Sequence, residues 1–211
     1  FLPAETSAAT LRQMEKLSRG VIAVRQPNGD VFVSWRMFGV DRVDVAFNVY
    51  RETDGRAVKI NRKPIDDVTF IVDDVAEIDK THAYFIRTVT GRRESTDSAK
   101  FVLAAGALPY LRIPLQTPIG YTPNDVSVGD LDGDGEYEYV LHQAGRGADN
   151  GRAGFTSEPI LQAYELDGTL LWTINLGKNI REGAHYTQFL VYDFDGDGRA
   201  EIACKTADGT I

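Results

Sequence analysis

Two short acidic segments, nearly identical and far apart, constrain the fold of this chain more than any other feature. Residues 130–138 (Asp-Leu-Asp-Gly-Asp-Gly-Glu-Tyr-Glu) and 193–201 (Asp-Phe-Asp-Gly-Asp-Gly-Arg-Ala-Glu) share six of nine positions and lie 63 residues apart. Recurrence at a long interval is typical of repeat architectures. Both segments have β-forming residues on either side, so each predicts a loop between two strands of a repeating unit.

The acidic segments have the composition of calcium-binding loops. Calcium takes about six to eight oxygen ligands, and carboxylates at loop positions 1, 3 and 5 converge where glycine lets the backbone bend. An EF-hand would also need Glu at position 12 and then a helix, but position 12 is Leu141 in one loop and Cys204 in the other. Here the last acid stands at position 9, and position 7 offers a backbone carbonyl. The predicted calcium ligands are Asp130, Asp132, Asp134, Glu136 and Glu138 in the first loop, and Asp193, Asp195, Asp197, Arg199 and Glu201 in the second.

A surface turn rich in Asp and Gly, without a metal, is the alternative interpretation of each loop. Three carboxylates within a few ångströms of one another repel strongly unless a cation neutralises them. Because the pattern occurs twice in the same context, calcium binding is favoured, with a structural role for the ion.

The spacing of strand signals in the C-terminal half predicts a β-propeller. Strands are predicted at 126–128, 139–141, 160–166 and 169–174, and four antiparallel strands in about 50 residues make one propeller blade. A second blade begins near residue 189, and the chain ends partway through it. Because one and a half blades would leave open sheet edges, the remainder of the propeller is expected on a further part of the protein.

A separate β-domain is predicted ahead of the repeats. Short strands with turn signals between them, such as Asn28-Gly29, favour a β-sandwich, and Trp35 and Tyr84 fit the core pattern of fibronectin type III-like domains. The predicted fold class is therefore all-β, a fibronectin type III-like sandwich followed by the first blades of a propeller that is incomplete in this chain. The predicted organisation is a lead segment (1–19), the β-domain (20–105), a linker leading into the propeller (106–120) and the first one and a half blades (121–211).

Composition excludes several classes of partner. The net charge of −8 argues against nucleic acid, because phosphate binding needs a concentrated basic surface. There is no run of about 18 apolar residues, so no membrane span is predicted. The single cysteine, Cys204, lies in an apolar run and is predicted to be a buried core residue. Calcium sites of this kind suit extracellular calcium levels, so the protein is predicted to be secreted, periplasmic or at the cell surface.

Several longer stretches match a known family. They are residues 12–20, 33–36, 121–129, 179–189 and 204–210. These stretches resemble the rhamnogalacturonan lyases of polysaccharide lyase family 11. The resemblance implies an N-terminal β-domain, an eight-bladed propeller holding several calcium ions, and cleavage of pectic rhamnogalacturonan by β-elimination. In that reaction a base removes the C5 proton of galacturonate while a cation neutralises the neighbouring carboxylate. This chain would be the N-terminal part of such a lyase, without activity of its own.

The resemblance assigns no catalytic residue, because the family's catalytic residues come mainly from later blades, but it suggests substrate contacts. Asn124 matches a substrate-contacting Asn of the family. Ala144 stands where relatives often have an Asp that contacts sugar, so specificity is expected to differ. The long loop between the second and third strands of a blade lies on the side opposite to the calcium loops, and long loops on a rigid scaffold carry function. Four further candidate substrate contacts are predicted from their location on that side: Asp149, Asn150, Arg181 and His185. The alternative interpretation of each is a solvated loop residue without a role in binding.

A second function is compatible with the two acidic loops taken alone. They would also suit a non-catalytic calcium-binding adhesion module or a carbohydrate-binding propeller module. The matched stretches 121–129 and 179–211 favour the lyase.

Overall fold

The computed structural model describes residues 16–183 and 187–211. Within these ranges the chain is all-β, with fourteen strands and no helix. Accordingly, the described residues contain no helix long and apolar enough to cross a membrane. The chain divides into two compact units, residues 18–112 and a unit that contains residues 113–211. The division lies within the segment 106–120, where the sequence predicts a linker.

The first unit consists of two antiparallel sheets. Its strands are β1 (Ile22–Arg25), β2 (Val31–Ser34), β3 (Ala46–Thr53), β4 (Arg56–Lys59), β5 (Phe70–Asp73), β6 (His82–Thr90), β7 (Arg93–Glu94) and β8 (Phe101–Leu103). One sheet has the order β1-β2-β5, and the other has the order β4-β3-β6-β7 with β8 also paired to β6. The turn between β1 and β2 contains Gly29 with φ of 96°, a conformation that favours glycine.

The core of the first unit lies between these two sheets, because inward-facing residues of both contribute to it. Trp35 is 5% exposed and Tyr84 is 0% exposed, so both are core residues, as predicted. The Tyr84 hydroxyl donates to Asp73 Oδ2 at 2.9 Å, and Arg51 Nη1 donates to Asp73 Oδ1 at 2.6 Å. Burial, followed by the charge of Asp73, raises the pKa of Tyr84. The buried Asp73 and Tyr84 are therefore paired with each other and with Arg51, as is usual for polar groups in a low-dielectric interior.

The second unit contains the four-stranded antiparallel sheet that the repeat predicts. Its strands are β9 (Thr122–Gly129), β10 (Glu138–Ala144), β11 (Ile160–Tyr164) and β12 (Leu170–Asn175), followed by the pair β13 (Phe189–Tyr192) and β14 (Glu201–Cys204). The sheet order is β12-β11-β10-β9, and β13 pairs with β14. Cys204 is only partly buried, so the prediction that it is a buried core residue is wrong. Its strand pairs with β13 on one side only, and this leaves Cys204 less covered than a central strand would.

Successive antiparallel strands put alternate connections at opposite ends of the sheet. The β9–β10 loop and the β11–β12 turn lie at one end. The β10–β11 loop, residues 145–159, lies at the other end, near the start of β9, since Ala144 pairs with Thr122. The pairing of β9 with β10 is interrupted beside Asn124, because Leu141 faces Val126 while Gln143 faces Pro123. Such bulges bend a strand and redirect side chains, often next to functional sites.

A row of buried polar side chains anchors the segment that leads into this sheet. Gln143 Nε2 donates to Gln162 Oε1 at 2.7 Å, and the Tyr164 hydroxyl donates to the same oxygen at 2.7 Å. The backbone amide of Gln116 then donates to the Tyr164 hydroxyl at 3.0 Å. Because unpaired polar groups are costly in a core, this network holds the incoming chain against β10 and β11.

Candidate functional site

The two acidic loops have the same backbone conformation. Gly133 and Gly135 have φ of 84° and 95°, and the equivalent Gly196 and Gly198 have φ of 79° and 96°. Only glycine adopts these angles readily, so the repeated Gly positions give both loops one shape. Nine residues of sequence therefore encode the same local fold twice.

The first Asp of each loop organises the turn around it. In the first loop, Asp130 accepts hydrogen bonds from the amides of Gly133 (2.7 Å) and Gly135 (3.0 Å). In the second loop, Asp193 accepts the equivalent bonds from Gly196 (2.6 Å) and Gly198 (3.0 Å). Because each carboxylate holds two amides of its own loop, the later acids are directed toward one centre before any ligand is present.

The carboxylate oxygens converge in both loops. In the first loop, oxygens of Asp130, Asp132 and Glu138 all lie within 4.8 Å of one another. In the second loop, the same holds for Asp193, Asp195 and Asp197. The convergent donors are all oxygen atoms, as a hard cation such as calcium prefers. Asp134 Oδ1 accepts a hydrogen bond from the amide of Glu136 at 2.8 Å. That the backbone carbonyls of Glu136 and Arg199 coordinate an ion stays a prediction.

Glu138 is the strongest indication of a cation in the first loop. Its side chain is fully buried, and Oε2 accepts the amide of Leu131 at 2.6 Å. The other oxygen, Oε1, is buried and has no hydrogen-bond partner among the described residues. Burial, and then the neighbouring carboxylates, raise the pKa of Glu138 to about 7. A buried carboxylate oxygen without a donor is strongly disfavoured, and a cation in the cluster would satisfy it.

The second loop is more open than the first. Glu201 occupies the position equivalent to Glu138, and its Oε2 accepts the amide of Phe194 at 2.9 Å. Glu201 is half-buried, and Asp195 and Asp197 are exposed. Asp132 and Asp134 of the first loop are exposed too, so the loops differ at their first and last acids. Asp130 and Glu138 are buried, whereas Asp193 and Glu201 are half-buried.

The two loops touch each other. The amide of Ala200, in the second loop, donates to the carbonyl of Asp130 at 2.7 Å. The side chain of Arg199 covers Gly133, since a Cβ at Gly133 would meet Arg199 Nε at 3.1 Å. The sequence predicts a role for Arg199 only through its backbone carbonyl, whereas the structure places its side chain against the first acidic loop.

Glu165 is a further acidic neighbour that sequence reasoning missed. It follows β11 in the turn at the same end of the sheet as the first loop. Burial, and then the charges of Asp132 and Asp134, raise the pKa of Glu165. The position of Glu165 near the first loop was predictable, because the first and third turns of a four-stranded antiparallel repeat lie at the same end of the sheet.

The predicted substrate contacts lie at the opposite end. Asn124, in the bulge, is exposed, and so are Asp149 and Asn150 in the β10–β11 loop. Asp149 Oδ1 accepts the amide of Gly151 at 2.8 Å, a turn-forming contact typical of Asp. His185 lies outside the described residues.

Arg181 makes a set of contacts that the sequence did not predict. Its guanidinium donates to four backbone carbonyls of the β10–β11 loop, and these bonds run from Nε to Ala148 (3.1 Å), from Nη1 to Gly154 (3.2 Å), and from Nη2 to Asp149 (2.7 Å) and Arg152 (2.7 Å). The guanidinium therefore binds the protein's own loop.

A buried contact between a histidine and a carboxylate lies beneath this loop. His142 Nε2 is 3.0 Å from Glu182 Oε2, and both side chains are 2% exposed. His142 and Gln143 therefore point into the protein. The neighbouring Ala144 is half-buried, and the expected difference in specificity stays a prediction.

A cleft of about 850 Å³ opens between β9 and the β13–β14 pair. Its lining includes Asp125, beside the bulge, together with Thr187 and Lys205. Thr187 is 6% exposed, and its hydroxyl is buried without a hydrogen-bond partner among the described residues. The cleft therefore combines charges of both signs with a buried hydroxyl that has no partner among the described residues, which suits a polar ligand.

Comparisons with known proteins match both units to one family. Residues 12–103 match the rhamnogalacturonan I lyases beta-sheet domain, and residues 112–211 match the C-terminal domain of rhamnogalacturonan lyase family 11. The chain is 48% identical over 210 residues to rhamnogalacturonan endolyase YesW of Bacillus subtilis, covering 94% of this chain and 32% of that protein. It is 49% identical over 210 residues to rhamnogalacturonan exolyase YesX of the same species, covering 94% of this chain and 33% of that protein.

Solved structures agree with these matches. The crystal structure of the exotype rhamnogalacturonan lyase YesX superposes with a TM-score of 0.82 at 49% identity, over 94% of this chain and 33% of that one. The Bacillus licheniformis rhamnogalacturonan lyase PL11 gives a TM-score of 0.82 at 49% identity, over 94% and 34%. The chain spans about a third of the length of the curated relatives it matches. With both of its units matched, the chain belongs to rhamnogalacturonan lyase family 11.

Proposed function

We propose that this chain is the N-terminal part of a calcium-dependent lyase that cleaves the rhamnogalacturonan backbone of pectin by β-elimination at galacturonate. The observation that carries the proposal is identity of 48% and 49% to two rhamnogalacturonan lyases over 94% of the chain. Most of the length of those relatives lies outside this chain, so activity requires the further part of the protein. Export to the cell exterior, periplasm or cell surface follows from the polymeric substrate.

The proposed architecture is a fibronectin type III-like sandwich followed by the first blades of a β-propeller. Two packed sheets with a shared core support the first part. A four-stranded antiparallel sheet in chain order, followed by a second strand pair with an equivalent acidic loop, supports the second part. The remaining blades would complete the ring and cover the open edges.

Calcium would bind in the two acidic loops and act as a structural ion. The unpartnered Oε1 of Glu138 supports this assignment most strongly. When bound, the ion supplies positive charge that cancels the repulsion among the carboxylates. The chain's own residues also shape the site, because Asp130 and Asp193 each accept two backbone amides of their own loop.

The cleft beside Asn124 is the proposed place for part of the pectic chain. Lys205 would attract the galacturonate carboxylate, and Thr187 could donate its free hydroxyl proton to it. Asn124 would fix the orientation of the sugar from the bulge in β9. Elimination needs a base for the C5 proton, and that base is assigned to the further part of the protein.

Incubation of the full-length protein with purified polysaccharides tests the proposal. Rhamnogalacturonan should yield products with an unsaturated terminal sugar, detected by ultraviolet absorbance and mass spectrometry, whereas unbranched polygalacturonate should not. A non-catalytic calcium-dependent binding module would retain the polysaccharide in affinity electrophoresis without forming unsaturated ends. That second result would overturn the lyase assignment.

A further inference from the structure

Arg181 fastens the β10–β11 loop from the link that follows β12. Its four bonds reach carbonyls spread from Ala148 to Gly154. A planar guanidinium has five N–H groups in a fixed fork, so four loop carbonyls occupy most of its donor capacity.

The neighbouring residues of the link strengthen this attachment. The carbonyl of Glu182 accepts the amide of Ala148 at 3.2 Å, and its amide donates to Thr156 Oγ1 at 3.0 Å. A Cβ at Gly147 would lie 3.1 Å from the Cα of Gly183, so the two backbones approach too closely for a side chain. The buried pair of Glu182 with His142 fixes the link itself to β10.

The fastened loop presents groups suited to an acidic polysaccharide. Phe155 is 82% exposed, and its carbonyl accepts a hydrogen bond from Arg146 Nη2 at 3.1 Å. Arg152 is exposed as well. Phe155 offers an exposed apolar ring to the C–H faces of sugars, and Arg146 and Arg152, exposed on the same loop, offer guanidinium groups to carboxylates.

We propose that Arg181 is a positioning residue that holds the β10–β11 loop in one shape, so that Phe155 contacts the pectic chain. The inference rests on the proposed function for its ligand, but the role of Arg181 in the loop does not. It differs from the prediction that Arg181 contacts substrate directly, since the guanidinium is engaged by the loop.

Limited proteolysis of the 211-residue chain tests the first half of the proposal. The loop contains two trypsin sites, after Arg146 and after Arg152. Loss of the four bonds in Arg181→Ala should raise the cleavage rate at these sites about tenfold or more, with new N-termini at Gly147 and Ala153. Arg181→Lys should give an intermediate rate, because an ammonium cannot reproduce the planar fork. The matched control Lys178→Ala, an exposed cation on the same link, should leave the rate unchanged.

Steady-state kinetics of the full-length lyase on rhamnogalacturonan test the second half. Arg181→Ala and Phe155→Ala should each raise KM about fivefold or more with kcat nearly unchanged, and Phe155→Ala should not alter proteolysis. The positioning role would be overturned if Arg181→Ala were cleaved by trypsin at the wild-type rate. A raised KM in that variant without faster proteolysis would instead indicate that Arg181 contacts the substrate directly. Unchanged KM in both variants would overturn the contact by Phe155. A wild-type protein without lyase activity would refute the proposed function, and with it the pectic ligand, while proteolysis still decided the role of Arg181.

Discussion

At the scale of single residues, Glu138 carries most of the argument for calcium. Its two oxygens have different environments, since Oε2 has a backbone donor and Oε1 has none among the described residues. Its equivalent in the second loop, Glu201, is half-buried. The two residues therefore form a natural comparison between a buried and an accessible carboxylate at the same loop position.

Replacing Glu138 by Gln removes the buried charge and keeps the size of the side chain. We expect calcium affinity of the first loop to fall about tenfold or more, because one anionic ligand is lost. The stability of the calcium-free chain at pH 8 should be unchanged or higher, because no carboxylate must be kept buried. Calorimetric calcium titration and urea unfolding measure the two effects. Glu201→Gln is the matched control and should change calcium-free stability less; a clear loss of calcium-free stability in Glu138→Gln would contradict the account.

Asp41 in the first unit gives a pH prediction. Arg19 donates to both of its oxygens at 2.7 Å, and that bond, against the cost of burial, holds the pKa of Asp41 below its ordinary value. A lowered carboxyl pKa gives stability that is present above the unfolded-state pKa, about 3.9, and is lost as the pH falls through the folded-state pKa.

Asp41→Asn should therefore lower the free energy of unfolding by roughly 1–3 kcal/mol near pH 7 and by much less near pH 3. Urea unfolding at both pH values measures the difference between the variant and the wild-type chain. Asp44→Asn is the control, because the partner of Asp44 is the exposed Arg42, and it should have little effect at either pH. An equal loss at both pH values in Asp41→Asn would mean that the ion pair is not the cause.

At the scale of elements, the two acidic loops form a connected pair. The amide of Ala200 bonds to the carbonyl of Asp130, and Arg199 lies over Gly133. An ion that orders the second loop therefore also fixes a contact of the first. Two sites that share such a contact are expected to show a coupling free energy.

Asp193→Asn should disable the second loop and also weaken calcium binding by the first, by about fivefold or more. Titration calorimetry measures this in the variant, where one class of site remains. Asp208→Asn removes an exposed charge outside both loops and is the control for net charge. If the two loops bound calcium independently, the first loop of Asp193→Asn would keep its wild-type dissociation constant, and this result would contradict the coupling.

The elements differ in how far the sequence could predict them. The acidic loops and the four-stranded repeat were predictable because their signals are local: glycine positions, carboxylate spacing and runs of β-formers. Strands β4 and β7 have weak sequence signals, since Arg56–Lys59 is exposed throughout and Arg93–Glu94 has only two residues. The contacts of Arg181 with the β10–β11 loop join residues about 30 positions apart, and no periodicity or motif in the sequence encodes them.

At the scale of the whole molecule, the chain combines two all-β units that match two domains of one lyase family. The first unit is stabilised by an apolar core in which Tyr84 is hydrogen-bonded to Asp73. The second contains an acidic cluster in which Asp130 and Glu138 are buried and Glu138 Oε1 has no hydrogen-bond partner among the described residues. Calcium should therefore matter for the second unit and much less for the first.

Chelation should lower the melting temperature of the second unit selectively. When the free calcium concentration is about 100 times the dissociation constant of a site, binding adds about 2.7 kcal/mol to the free energy of unfolding. For a unit of this size, that corresponds to a rise of several degrees in melting temperature. Differential scanning calorimetry with calcium and with excess chelator measures the shift. Magnesium at the same concentration is the control for ionic strength. A shift confined to the transition of the first unit would contradict the assignment.

The central claim for this chain is that both acidic loops hold calcium. Equilibrium dialysis of the metal-free 211-residue chain against buffered calcium, with the bound ion determined by atomic emission, tests it directly. The account predicts two calcium ions bound per chain, falling to fewer than two in Glu138→Gln at the same free calcium. A wild-type chain that binds no calcium at millimolar concentration, while folded by circular dichroism, would contradict it.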